Sequence, residues 1–304
     1  MYLTHFGLSE KPFKTSPDPR FLWLGARHKE ALNALVTGVL RGDGFQVVTG
    51  DAGTGKTTLA NALLQELGDR VIVMVVPCPE YEGIDFFKLV ARAYGICKST
   101  QGRDSFVARF SDFMRSSCSS GKSVVLIIDE AQRLTPSYLQ ELVQLSGIEE
   151  NGTRLLRIVF FGENRFYDAL SEESNRGVFQ RITFRHTLDP LTREETAQYI
   201  LHRLKVAQCG KELFTPASID EIFHYSQGVP SLINKACDVA LSRNFFLGET
   251  IVLPETIRSF LKLLPDEKKA TAAKVPDAAS GGRVTASGPS PRKERDDEGA
   301  GPAS

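Results

Sequence analysis

The sequence predicts an α/β protein: a parallel sheet flanked by helices, then a small all-α unit and a disordered tail. Three observations carry this reading. Apolar runs of strand composition alternate with helical stretches up to residue 188, the pattern of parallel strands covered on both faces. After Pro190 those runs stop, and four helical stretches follow. Between the first strand-like run and the next helix, residues 50–58 read Gly-Asp-Ala-Gly-Thr-Gly-Lys-Thr-Thr, a complete G-x-x-x-x-G-K-[ST] string in the strand–loop–helix setting that gives it meaning.

Residues 1–26 are expected to be irregular, because Lys11-Pro12-Phe13 and Ser16-Pro17-Asp18-Pro19 interrupt any helix. An α/β domain is expected over 27–189. It opens with a helix carrying Leu32, Leu35, Val36, Val39 and Leu40 on one face and stopped near Gly42 and Gly44. Strands are predicted over 45–49, 71–76, 123–128, 155–161 and 182–188, with helices over 57–67, 84–94, 106–114 and 136–145. Helices over 193–207, 216–226, 231–245 and 254–264 form the expected helical domain, 190–264. The remainder, 265–304, is rich in Ala, Gly, Ser, Pro and charge, and reads as disordered. Its dense mixed charge, residues 292–297, reads as a solvated tail.

Composition narrows the partners. Of 304 residues, 41% are hydrophobic and 24% charged, with 37 Lys plus Arg against 37 Asp plus Glu. No global field favours nucleic acid or an acidic membrane. The five cysteines contain no C-x-x-C pair, which argues against a disulfide framework or zinc site and fits a reducing cytoplasm. No apolar run reaches the length of a membrane span, and residues 1–10 lack a signal-peptide core. A cytoplasmic location is expected.

The glycine-rich string implies a bound nucleoside triphosphate. Gly50, Gly53 and Gly55 let successive N–H groups turn inward on an anion. Asp51, Ala52, Thr54 and Thr58 complete the binding loop. Lys56 can reach the β- and γ-phosphates, and the Thr57 hydroxyl can ligate Mg²⁺. A second half of the site is expected at residues 124–130, an apolar strand ending in Asp129 and Glu130. Ligands sit at the carboxyl edge of open α/β sheets, so Asp129 is the candidate to hold Mg²⁺ through its water shell. Glu130 is the candidate base for the attacking water. Asp129-Glu130-Ala131-Gln132 also spells a helicase-type box, but such helicases need two tandem nucleotide-binding domains and only one parallel sheet fits before Pro190.

Arg181, at the head of the last strand, suits a subunit edge from which a guanidinium reaches a neighbour's γ-phosphate. Arg176 has two readings, that role or a surface pair with Glu172 or Glu173. Asn164 is a better polar group than Glu163 to sense the γ-phosphate.

Residues 2–8, Lys11-Pro12-Phe13, 17–22 and 28–32 resemble the N-terminus of ExeA-like proteins. These AAA+ ATPases are also called general secretion pathway protein A, with the pilus-biogenesis protein MshM as a short relative. The likeness continues through Gly50–Thr58, residues 129–132, 180–182, 191–196 and Gly228-Val229-Pro230. It implies an AAA+ core with a helical lid, ATP with Mg²⁺, and a homo-oligomeric ring or partial ring in which Arg181 acts in trans. It also implies that Phe13 and Phe21-Leu22-Trp23 enclose the adenine, with core packing as their other reading. Two positions depart from the family. Ser231 stands where an arginine usually follows Gly-x-Pro, with Lys235 one turn later as a substitute, and Gly162-Glu163-Asn164 replaces Gly-Gln-Pro. The chain is closer to the short relatives, so membrane anchoring is not expected to carry over.

The expected function is ATP-driven rearrangement of a secretion, pilus or exopolysaccharide machine, with envelope-assembly proteins as partners. The alternatives are a DNA-associated helper of the transposition or initiator type, and a slow ATP switch that docks a partner with little turnover.

Overall fold

The computed structural model describes residues 2–14, 16, 18–77, 90, 94–95 and 103–261. The tail expected over 265–304, most of the helix expected over 84–94, and Cys78 and Cys97 lie outside the described residues.

A short helix, α1 (Tyr2–Phe6), precedes α2 (Ala26–Arg41), β1 (Phe45–Gly50) and α3 (Lys56–Leu67). Next come β2 (Val71–Pro77), α4 (Arg103–Ser119), β3 (Ser123–Asp129) and α5 (Pro136–Ser146). A hairpin of β4 (Glu149–Glu150) and β5 (Thr153–Arg154) leads into β6 (Leu156–Gly162), α6 (Asn164–Leu170), α7 (Arg176–Phe179) and β7 (Ile182–Leu188). The chain then turns helical: α8 (Arg193–Val206), α9 (Pro216–Ser226), α10 (Pro230–Leu247) and α11 (Pro254–Leu261).

The main sheet has five strands in the order β2–β3–β6–β1–β7, and every neighbouring pair is parallel. Alternation along β3 shows why its sequence is apolar throughout. Val124, Leu126 and Ile128 enter one core with residues of α4 and α5, while Val125 and Ile127 enter the other with α2 and α3. A strand buried on both faces has no position for a polar residue until its end. β1 lies between β6 and β7, so the connection out of β1 goes to one side and the strand on its other flank arrives later. Loops at the carboxyl ends of β1, β3 and β6 therefore open into a common crevice.

Helix starts follow local chemistry. Thr135 and Thr215 cap α5 and α9 with proline at the first helical position. Thr192 and Glu195 form a reciprocal capping box on α8. The β4–β5 hairpin was not expected, although Asn151 and Gly152 at its turn both adopt positive φ (52° and 75°), as a two-residue primed turn requires.

In the segment expected to be irregular, α1 and a 3₁₀ turn over Pro19–Phe21 are the regular elements among the described residues. α1 packs on α10, the Tyr2 hydroxyl donates to the Asp238 carboxylate (2.7 Å), and the Ser9 N–H donates to the Ala207 carbonyl (2.9 Å). Residues 2–14 are thus seated on the C-terminal helices, and the chain meets the α/β core ahead of α2, where the turn over Pro19–Phe21 contacts α3 and Leu22 and Leu24 pack on the core beneath it.

Candidate functional site

Positive φ at Gly53 (80°) and Gly55 (104°) shapes the loop between β1 and α3, a conformation open to glycine at little cost. The Lys56 ammonium, buried at the start of α3, donates to the carbonyls of Gly50 and Asp51 (2.9 Å each). Burial pushes its pKa below the ordinary lysine value, opposed by the negative charges of Glu130, Glu163, Asp129 and Asp51. Thr54 closes the loop with a hydrogen bond to the Asp51 carbonyl (2.9 Å).

The Thr57 hydroxyl donates to the Asp129 carboxylate at 2.9 Å, joining the loop after β1 to the end of β3. A hydroxyl and a carboxylate brought into contact are the hard oxygen donors that Mg²⁺ takes. Glu130 follows in the left-handed region (φ 56°, ψ 38°). Its N–H donates to Asp129 (2.9 Å), and its carboxylate accepts from the Gln132 amide (2.7 Å). The Asn164 amide, after β6, donates to the Asp51 carboxylate (2.9 Å), whereas Glu163 pairs with Arg165 (2.8 Å).

Of these residues Thr54, Lys56, Thr57, Glu130 and Glu163 border a cavity of about 340 Å³, within the range of small-molecule sites. One wall is the loop from Ala52 to Thr58 with Glu130 and Glu163; Trp23, Tyr199, Arg203, Asn234 and Ser231 lie on the other. Arg203 organises that second wall. Its Nε donates to the Pro12 carbonyl (2.6 Å), and its Nη1 donates to the Tyr199 hydroxyl (2.6 Å) and to Asn234 Oδ1 (3.2 Å). The guanidinium also lies 5.1 Å from the Phe21 ring centroid, and the Trp23 ring meets Tyr199 edge-on at 6.1 Å. Burial raises the Tyr199 hydroxyl above its ordinary pKa.

The predicted residues divide. Lys56, Thr57, Asp129 and Glu130 converge at the carboxyl edge of the sheet. Phe21, Leu22 and Trp23 line the cavity. Phe13 does not: it is buried edge-on against Phe214 at 6.0 Å among the C-terminal helices. Its surroundings match core packing, the second of its two readings, because the chain before Lys14 is committed to the helical face. Ser231 touches the loop directly, its N–H donating to the Gly53 carbonyl (3.3 Å). Lys235 is not among the lining residues. Arg181 is folded back, its Nη1 donating to the Gly177 carbonyl (2.9 Å). Arg176 is exposed and makes no ion pair with Glu172 or Glu173. Sequence reasoning missed Arg203, Tyr199 and Asn234. The four-residue spacing of Tyr199 and Arg203 on α8 placed them on one helix face, but nothing local showed that this face meets Pro12.

Residues 39–170 match the AAA domain family. General secretion pathway protein A of Aeromonas hydrophila is 35% identical over 249 residues, an alignment covering 82% of this chain and 46% of that protein. The chain therefore spans about half the length of the curated relative it matches. Among solved structures, Aeropyrum pernix ORC2 in its ADPNP–ADP complexes shares 16% identity over 84% of this chain and 71% of that one, with a TM-score of 0.64. Pyrobaculum aerophilum Cdc6p shares 17% over 87% and 74% (TM-score 0.65). The Thermotoga maritima RuvB branch migration motor shares 18% over 79% and 70% (TM-score 0.52). At these identities the likeness is one of fold, and it agrees with the parallel five-stranded sheet flanked by helices.

Proposed function

We propose that this chain, an AAA protein related to general secretion pathway protein A, binds Mg²⁺-ATP in the cavity and hydrolyses it. The observation that carries the reading is the 2.9 Å contact between Thr57 and Asp129, which unites the phosphate loop and the acidic strand end in one site. In the structure Lys56 is held by two loop carbonyls; in the proposed complex it exchanges them for β- and γ-phosphate oxygens, while inward-turned N–H groups of residues 50–58 hold the remainder. Mg²⁺, held by Thr57 and by Asp129 through water, supplies neutralising charge on the phosphates when bound. Glu130 orients a water in line with the γ-phosphate and takes its proton. Asn164, tied to Asp51, stands where it can report the γ-phosphate to the loop.

Oligomerisation supplies the remaining positive charge in this reading. Arg181, favoured from sequence, is tied to the Gly177 carbonyl of the preceding helix α7, so its use in trans requires that bond to break. Exposed Arg176 needs no such release and is the second candidate. The relationship to general secretion pathway protein A supports coupling of turnover to a secretion or related envelope-assembly machine from the cytoplasmic side. Among the described residues no helix is long and apolar enough to cross a membrane.

Two variants test the chemistry. Lys56→Ala is expected to abolish binding of a fluorescent ATP analogue. Glu130→Gln is expected to bind it normally while steady-state phosphate release falls at least about a hundredfold, the scale of a lost general base. Release from Glu130→Gln at the wild-type rate would remove Glu130 from the mechanism.

A further inference from the structure

We propose that Gln132 is a positioning residue that holds the Glu130 carboxylate in the cavity by bridging it to the end of β6. This rests on Glu130 acting as the base in the reading above.

The backbone of Glu130 is well held. Its left-handed conformation (φ 56°, ψ 38°) costs a non-glycine residue on the order of 1–3 kcal/mol and persists because neighbours over-determine it. Its N–H donates to Asp129 (2.9 Å), and its carbonyl accepts from the Arg133 N–H (3.0 Å) through the short 3₁₀ turn over Ala131–Arg133. None of these contacts fixes the side chain, which is 45% exposed and turns about three bonds.

The Arg133 guanidinium lies 3.9 Å from Glu130 Oε2, an exposed ion pair that constrains direction little; Gln132 supplies the short, directional constraint. Its Nε2 donates to Glu130 Oε2 at 2.7 Å, and its Oε1 accepts from the Glu163 N–H at 3.0 Å. A primary amide donates and accepts at once, so one side chain can hold a carboxylate after β3 to a backbone group after β6, the neighbouring strand. The fit at the second anchor is close: a Cβ at Gly162 would lie 3.2 Å from Gln132 Oε1 and 3.2 Å from the Phe166 side chain. The same strand end carries Asn164, whose amide holds Asp51 of the loop (2.9 Å). The base and the phosphate loop thus share a reference point at the carboxyl end of β6. Without Gln132 the carboxylate would sample rotamers that point away from the attacking water, and misplacement by about 1 Å is enough to cost about a hundredfold in rate.

The test compares Gln132→Ala with Gln132→Glu, measuring kcat, KM and the Kd of a fluorescent ATP analogue. Gln132→Glu retains an acceptor for the Glu163 N–H but sets a carboxylate against Glu130, so it breaks one arm of the bridge. Both variants are expected to lower kcat about tenfold or more while the analogue's Kd stays within about twofold of wild type. Unchanged kcat in Gln132→Glu overturns the proposal, as does a raised kcat or an equal loss of kcat and affinity, which would mark a purely structural role. Glu130→Gln runs alongside. If it turns over normally, the base assignment falls and takes this inference with it; if it stalls while Gln132→Glu turns over normally, only the positioning role falls.

Discussion

The loop wall of the cavity is built from contiguous sequence: the nine residues 50–58, from the end of β1 into the first turn of α3, two of them glycines at positive φ, with one cross-link to β3. The facing wall is assembled from afar. Arg203 meets a carbonyl 191 residues away at Pro12, and Tyr199 and Asn234 are brought together from different helices, 35 residues apart. The first wall holds backbone groups and charges that act on phosphate wherever the motif occurs. The second exists only when the N-terminal segment, α8 and α10 are docked, so its shape reports on that docking. A site with one preformed wall and one assembled wall can bind its ligand through the first and transmit binding through the second. Local stability is lowest where an element depends on few long-range contacts, and the assembled wall is the part suited to move.

The sharpest way to break this contrast is to strike the point where the walls touch. Gly53 has φ 80°, and a Cβ there would fall 2.0 Å from the Ser231 Oγ. Gly53→Ala therefore strains the loop by about 1–2 kcal/mol and pushes the start of α10 away. Nucleotide affinity is expected to drop at least about tenfold, measured by titration with a fluorescent ATP analogue. Affinity at the wild-type level would show that the walls are independent.

Arg203→Met addresses the assembled wall alone. Methionine keeps much of the apolar contact but leaves the Pro12 and Lys14 carbonyls and the Tyr199 oxygen without the guanidinium donor, while Asn234 Oδ1 keeps the Tyr199 O–H. A stranded buried acceptor costs about 1–3 kcal/mol, so the variant is expected to lose about 3 kcal/mol of stability in urea unfolding. The analogue should bind more weakly by a smaller factor than in Gly53→Ala, because Lys56 and the loop are untouched. Equal losses in the two variants would erase the distinction between the walls.

The same contrast explains what could be read in advance. β3 was legible because a strand covered on both sides must be apolar throughout, and Asp129 and Glu130 stand out where that rule ends. The loop was legible because anion binding by backbone demands glycine at set spacings. Phe13 illustrates the opposite case. An aromatic after proline near the N-terminus suits an adenine wall or a core equally, and only the docking of residues 2–14 on α10 decides between them. Arg203 gave no sign at all: a helical arginine normally reaches solvent, and its burial depends on four neutral acceptors that meet only in the folded chain. Gln132 was visible as part of a four-residue string, yet its partner, the Glu163 N–H, becomes its neighbour only through the β3–β6 pairing. The Asn151-Gly152 turn carried an explicit signal, which the apolar run after it overshadowed.

The smallest effect concerns His28, which sits at the seam between the two walls. It is 8% exposed, borders the cavity, interacts with the backbone of Thr54 in the loop, and faces the charges of Glu195 on α8 and His186 on β7. Burial lowers its pKa below the ordinary 6.5, and His186 adds to the lowering, while Thr54 and Glu195 oppose it. A histidine whose folded pKa is depressed is neutral in both states at high pH. As pH falls through the unfolded value near 6.5, the unfolded chain takes up a proton first, and stability is lost until the folded pKa is passed. His186 and His202, also lowered by burial, act in the same direction, so the wild-type Tm should fall between about pH 7.5 and about pH 5.5. His28→Gln should flatten part of that fall and leave the rest to the other two histidines. Because His28 borders the loop beside Thr54, its protonation adds positive charge near the phosphates and should strengthen analogue binding over the same interval in the wild type and not in the variant. A pH dependence of binding that survives His28→Gln unchanged would place the sensitive group elsewhere on the cavity and leave the seam uncoupled from protonation.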